Sequence, residues 1–361
     1  MIKKIILIGL SLILVACGSS TTEVANDEVM VTIDSYDETN YSISVPFDLS
    51  SARKWHGDTL SKLDQIEIPK GLQEYSKDYF SIDDNFMEQG SILTKDDIQM
   101  LQRRESDDYP YALNPESGLF DLTTAISVDS PYIVYDVVEL DFVDKNNIDQ
   151  LNGISLAIIM NSTVQNTNDG SEITYDIDDE RLYAFASVAG RKLELYMRTK
   201  QEVSPDLPIY ISFYSANDDE SYLPGKYIGG GLFEGRSGQF EEINEQWFLL
   251  PTTEHTEFDS VLASGYAIMK GEVNIFLPQN VSMIGKAKYV DDSLDYLKID
   301  IDMQAKTYTE MYALAQYVNS LSKEIITKEF ELIINIKQNN ETVFTITKEK
   351  GSLNTVINDL T

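Results

Sequence analysis

Cysteine is almost missing from this chain: Cys17 stands alone in 361 residues. No intrachain disulfide can form, and no zinc or iron–sulfur centre built on several thiolates is available. Histidine is nearly as scarce. A Ser-His-Asp arrangement would have to draw its base from His56 or His255, and both sit in polar stretches that read as ordinary surface. Neither a G-x-S-x-G elbow nor an H-E-x-x-H zinc motif occurs. Basic residues are few, with 28 Lys and Arg against 60 Asp and Glu and a formal net charge of −32. That balance excludes nucleic acid as a partner, because such binding neutralises phosphates with Lys and Arg. It also excludes a basic contact with anionic lipid. No cofactor-binding pattern is present. Gly230 to Ser237 imitates a P-loop but has Arg236 where the flexible lysine belongs, so it reads as a glycine-rich hairpin. The stretch from Asn166 to Glu180 is calcium-like in composition only. Aligning Gly170 with the glycine of a calcium loop puts Gln165 and Thr167 at ligand positions, so the expected structure is a turn and an acidic helix start.

What is present begins at the N-terminus. Lys3 and Lys4 precede an apolar stretch, Ile5 to Val15, too short for the roughly 20 residues of a membrane span and suited to a secretory leader. Leu14-Val15-Ala16-Cys17 then reads as a lipobox, with cleavage between Ala16 and Cys17 and the Cys17 thiol carrying a diacylglycerol. The expected localisation is extracytoplasmic, at the cell membrane, through lipid at Cys17. Acyl chains contribute about 0.8 kcal/mol per buried CH₂, so a doubly acylated terminus holds its cargo durably. Removing the leader takes away Lys3 and Lys4 and leaves the remainder more acidic still.

The expected organisation is a signal peptide over residues 1–16, a lipid-anchored tether over 17–40, a first α+β unit over 41–235 and a second over 236–361. Thr94 is placed to cap a short helix running to Arg103, and Glu105 to Pro115 reads as a loop. Ile154 to Met160 reads as a buried strand, Asp178 to Lys200 as a helix and Pro208 to Tyr214 as a strand. Further on, Tyr296 to Met303 alternates as a strand, and Thr307 with Glu310 forms a capping box for a helix. Phe330 to Ile336 and Thr342 to Thr347 then read as a hairpin turning at Gln338-Asn339-Asn340. Both stretches therefore run strand, helix, strand. The fold class is α+β, two similar units with antiparallel and mixed sheets after an N-terminal mixed segment. Between them Tyr227 to Phe233 reads as a strand, Glu241 to Trp247 as a short helix, Glu257 to Phe276 as a helix weakened by Gly265 and Gly271, and Gln279 to Val290 as a strand. The 21 tyrosines lie mostly at core spacing, so packing is their default role.

An ordered series of blocks then carries a resemblance. Leu14-Val15-Ala16-Cys17-Gly18 opens it, followed by Pro46-Phe47 with Ser51-Ala52-Arg53, Leu113-Asn114-Pro115, and Leu156 to Ser162. Leu207-Pro208-Ile209, Pro224-Gly225, Leu249-Leu250-Pro251 and Gln316-Tyr317-Val318 complete it. The chain resembles the CamS sex-pheromone precursor lipoproteins of Gram-positive bacteria. The resemblance implies that lipoprotein-processing enzymes are partners, and that trimming of the cut leader releases a pheromone-like heptapeptide. Its positions here are Leu10, Ser11, Leu12, Ile13, Leu14, Val15 and Ala16, which lack the phenylalanine of the family's active peptides. For the body, the alternative reading is an extracytoplasmic binding module for a peptide, glycan or protein. An enzyme is not expected, since no catalytic motif is found and 60 acidic residues single out no pair. A carboxylate hydrolase would need two acids about 5–9.5 Å apart across a cleft.

Overall fold

The computed structural model describes residues 31–33, 39–45, 51–166, 173–217, 220–278 and 281–361. The leader, Cys17 and most of the expected tether lie outside the described residues. The chain opens with strands β1 (Val31–Ile33) and β2 (Ser42–Val45), helices α1 (Ser51–Thr59) and α2 (Asp64–Ser76), strand β3 (Asn85–Gln89) and helix α3 (Lys95–Leu101). It continues through β4 (Leu119–Asp121), β5 (Ser127–Asp129), β6 (Val134–Asp144), β7 (Asn147–Asn161), β8 (Thr163–Asn166), β9 (Ile173–Asp176), α4 (Asp179–Met197), β10 (Ile209–Ala216) and β11 (Lys226–Glu234). After β12 (Ser237–Gly238) and β13 (Glu241–Glu242) come β14 (Glu245–Leu250), α5 (Thr253–Phe258), α6 (Ser260–Phe276), β15 (Val281–Val290) and β16 (Ser293–Met303). The chain closes with α7 (Tyr308–Ser322), β17 (Glu331–Gln338), β18 (Glu341–Lys348) and β19 (Val356–Asp359).

These elements form two larger sheets. The first has nine strands in the order β1-β2-β3-β6-β7-β10-β11-β12, with β13 also on β11; the second has six, β14 to β19 in sequence order. The same plan is written twice. In the first, β3 is antiparallel to β6 and β6 to β7, β7 runs parallel to β10 across α4, and β10 is antiparallel to β11. In the second, β14 is antiparallel to β15 and β15 to β16, β16 runs parallel to β17 across α7, and β17 is antiparallel to β18. A parallel pair needs a long crossover, and in each unit one helix supplies it. The expected α+β class with two similar units is what the structure has.

Local chemistry explains where the elements start. Thr94 caps α3 and Thr307 caps α7, each in a full capping box, with Asp97 and Glu310 returning the bond. Leu297, Ile299 and Ile301 of β16 are fully buried on one face. Asn339 and Asn340 take positive φ values of 52° and 69° at the β17–β18 turn, a conformation asparagine tolerates better than most residues. The glycine-rich stretch is the β11–β12 hairpin, with Gly235 at φ 59° in its turn.

Several expectations need correction. Glu241 to Trp247 is not a helix: Glu241–Glu242 joins the first sheet as β13, and Glu245 opens β14. Phe248 and Leu250 are buried two apart on one face, Glu245 is buried on the other, and β15 alongside supplies the hydrogen bonds. The first sheet therefore extends to Glu242, past the boundary expected after residue 235. At the other end Val31–Ile33 pairs with β2, inside the stretch 17–40 assigned to the tether. The helix expected over 257–276 breaks at Asp259, whose carboxylate accepts from the N–H groups of Val261 and Leu262 and so starts α6 anew.

His255 is also not a surface residue. It is 1% exposed. Its Nε2 lies 2.9 Å from the Tyr289 hydroxyl, which donates to Asp259 at 2.9 Å. A carboxylate only accepts, so the tyrosine proton goes to Asp259 and Nε2 must donate to the tyrosine oxygen. Burial lowers the imidazole pKa, while Asp259 opposes that shift. The chain of bonds fastens α5 and the start of α6 to β15.

Candidate functional site

A cavity of about 260 Å³ forms where β3 ends. Gln89, the last residue of β3, pairs with Leu140, so β6 from Val134 to Glu139 runs on without a strand on that side. Helices α1 and α2 and the segment leading to α3 close over the gap. The walls are mostly aliphatic, with Arg53, His56, Gln65, Gln89 and Glu139 as the polar groups. Ala52 and Arg53, part of the block quoted for the family, sit on the α1 wall. Pro46 and Phe47 of that block lie outside the described residues.

Two acid pairings sit on this wall. His56 Nδ1 lies 2.9 Å from Oδ2 of Asp136, a fully buried carboxylate. The Thr59 hydroxyl donates to the same oxygen at 2.8 Å, and the Val137 N–H donates to Oδ1 at 2.9 Å. The carboxylate can only accept, so Nδ1 carries a proton.

The second pairing is deeper. Glu139 and Asp141 are two apart on β6 and share a face. Glu139 accepts from the N–H groups of Ile92 at 3.1 Å and Leu93 at 2.8 Å. Asp141 Oδ2 accepts from the N–H and hydroxyl of Ser91 at 2.9 and 3.0 Å. Three consecutive residues after β3 are thus held by two buried carboxyls. A side chain at Gly90 would meet Glu139 Cβ at 2.4 Å, so only glycine allows this approach. Burial raises the Glu139 pKa well above the usual carboxylate range, and the charge of Asp141 adds to the shift. Burial likewise pushes Asp141 up to about 6, against the hydrogen bonds from Glu139 and Ser91. Asp141 Oδ1 meets no N–H or hydroxyl donor.

The residues lining the cavity include His56 and Glu139 and no serine, threonine or cysteine. The two buried acids sit two residues apart on one face of β6 rather than on opposite sides of a cleft. Among the described residues there is no cluster of three or more His, Cys, Asp or Glu able to hold a metal. No described helix is long and apolar enough to cross a membrane.

Of the residues singled out from sequence, Leu10 to Ala16 and Cys17 lie outside the described residues. His56 is at the cavity. Asp136, Glu139 and Asp141 were missed, although acids inside the apolar run from Val134 to Val143 are a readable signal. Two of the remaining family blocks, those holding Asn114 and Gly225, fall at joints of the fold. Asn114 is fully buried and accepts from the Ile133 and Val134 N–H groups at 2.7 and 2.8 Å. It also donates to Gln102 and Val134 carbonyls at 2.8 and 2.7 Å, tying the 105–115 loop to β6. The Gly225 N–H donates to buried Asp64 of α2 at 3.1 Å.

Comparison with known proteins gives the class. The family model described as the CamS sex pheromone cAM373 precursor matches residues 47–354. The chain belongs to that family. Its fold is similar to the crystal structure of a sex pheromone precursor from Lactobacillus salivarius subsp. salivarius UCC118, at 23% identity and TM-score 0.77, covering 92% of this chain and 99% of that one. It is also similar to the C-terminal domain of the sex pheromone staph-cAM373 precursor from Staphylococcus aureus, at 21% identity and TM-score 0.68, covering 83% and 97%. No curated protein matches the sequence.

Proposed function

We propose that the chain is a lipid-anchored, extracytoplasmic member of its family whose leader is the source of a hydrophobic heptapeptide, Leu10 to Ala16. The observation that carries the anchor is the placement of the chain's single cysteine immediately after a lysine-headed apolar leader ending in Leu-Val-Ala. Metabolic labelling with palmitate tests it: the chain takes up label, and Cys17→Ala abolishes it. Label retained by the variant sinks the anchor.

The peptide is tested separately, with synthetic LSLILVA in a mating-response assay on plasmid-carrying cells. Because it lacks an aromatic, a receptor pocket shaped for phenylalanine would bind it more weakly by on the order of 1–3 kcal/mol. A response at nanomolar peptide supports the reading, and silence at that level removes it while leaving the anchor standing.

A second reading, of the body as a binding module, is supported by the cavity at the end of β3. Its aliphatic walls and few polar groups suit a compact, largely apolar ligand with one hydrogen-bonding end. Gly57 lines the mouth, and a Cβ there meets nothing within 4 Å. Gly57→Leu should therefore block entry without disturbing the fold. Fragments that bind the full chain by ligand-observed NMR should lose binding in this variant; unchanged binding places them elsewhere.

A further inference from the structure

Helix α6 carries an exposed stripe that the fold does not use. Its inner side is Leu262, Tyr266, Met269 and Val273. On the opposite side Val261, Ile268 and Ile275 are 82%, 66% and 74% exposed. They recur every seven residues, with exposed Ser264 and Gly271 between them. In heptad terms the branched residues occupy the a positions and the small ones the d positions. No charge lies on this stripe. Lys270 is turned back to donate to the Met283 carbonyl at 3.1 Å, and Glu272 accepts from the Tyr317 hydroxyl of α7 at 2.7 Å. An exposed helix face normally carries charged residues, and this chain has 88 of them with a net charge of −32.

We infer that α6 pairs with α6 of a second copy of this chain, antiparallel about a two-fold axis. Two observations select that occupant. The first is charge: two strongly acidic molecules repel one another, and the outer side of α6 is a face that brings no carboxylates into contact. The second is the alternation of large and small residues. Parallel, in-register pairing stacks branched on branched and leaves Ser264 and Gly271 facing across a gap. Antiparallel pairing sets each branched residue opposite a small one, so the stripe is complementary to itself and the contact closes. Gly271 offers a ready hole for a knob, since a Cβ there would meet nothing within 4 Å.

The area is sufficient for a weak dimer. A helix of 17 residues is about 26 Å long. Phe276, stacked on Tyr317 at 4.9 Å, and exposed Gln316 and Ser320 of α7 widen the face. The pair would bury on the order of 1,000 Å², the lower edge for a specific interface. Covalent trapping is therefore the appropriate test.

The experiment uses the full-length chain in intact cells, with the wild type as control for Cys17. Branched opposite small puts Ile268 of one copy against Ser264 or Gly271 of the other. Under mild oxidation a chain with Ile268→Cys therefore forms a mixed disulfide with a co-expressed, differently tagged chain carrying Ser264→Cys or Gly271→Cys. Chains with Val261→Cys, Ile268→Cys or Ile275→Cys expressed singly stay unlinked. Equal self-linking of those three chains means random collision or a parallel pair and overturns the inference. So does absence of the mixed disulfide in both pairings. In that case shielding of the cysteines at 261, 268 and 275 from a water-soluble maleimide assigns the face to a bilayer or another protein, and full reactivity leaves it open to water.

Discussion

Asp141 holds one oxygen on Ser91 and leaves the other without an N–H or hydroxyl donor, beside a second buried acid. In the folded chain its pKa is about 6, against an ordinary 3.8. The folded state therefore binds more protons than the unfolded state between those values. This contribution to stability is full below about pH 4 and is lost as pH rises through about 6. Asp141→Asn places a donor where the orphaned oxygen stands and removes the like charge from Glu139. At pH 8 the variant should be more stable than the wild type by on the order of 2 kcal/mol, and the two should converge near pH 4. Urea denaturation across pH 4–8 checks this; parallel curves would show that the pair does not titrate with folding. Asn114 works in the opposite way, with all four of its side-chain bonds made.

Among the elements, α6 has two glycines in different surroundings. Gly271 has open space around it, whereas a Cβ at Gly265 would lie 2.4 Å from Ile325 Cγ2. Gly271→Ala should stabilise the chain by about 0.5–1 kcal/mol, the usual gain from restricting a helical glycine. Gly265→Ala should show no such gain, because the Ile325 side chain must move. Thermal denaturation of the two variants side by side is the check. The break at Asp259 that separates α5 from α6 is held by His255 and Tyr289, so that hinge is a hydrogen-bonded joint rather than a loose turn.

For the whole molecule, the two sheets meet through α2. The Tyr75 hydroxyl donates to Glu245 Oε2 at 3.0 Å, and Trp247 Nε1 donates to Oε1 at 3.1 Å. Lys70 of the same helix lies over the Tyr296 ring at 4.7 Å. Burial raises the Glu245 pKa, while Lys288, Tyr75 and Trp247 pull it back. Tyr75→Phe takes away one of these supports and should destabilise the chain by about 1.5–3 kcal/mol, the range for a bond to a buried charged group. A change under 0.5 kcal/mol in chemical denaturation would show that the seam does not depend on it.

Much of the fold was legible because it is written locally. Thr94 and Thr307 announce their helices through residues three places away, β16 shows its buried face by alternation, and Asn339-Asn340 marks its own turn. The proposed leader and acylation site at Cys17 rest on a linear motif of the same local kind. Tertiary contact decided the rest. Glu245 opens a strand only because β15 lies alongside and Tyr75 meets its carboxyl. His255 is buried only because Phe248, Asp259 and Tyr289 converge on it. The cavity exists because β3 stops partway along β6, bringing Ser91 to Leu93 onto two acids some fifty residues later. Periodicity and caps report what neighbours in sequence do; burial of a polar group depends on partners that only the folded chain brings near.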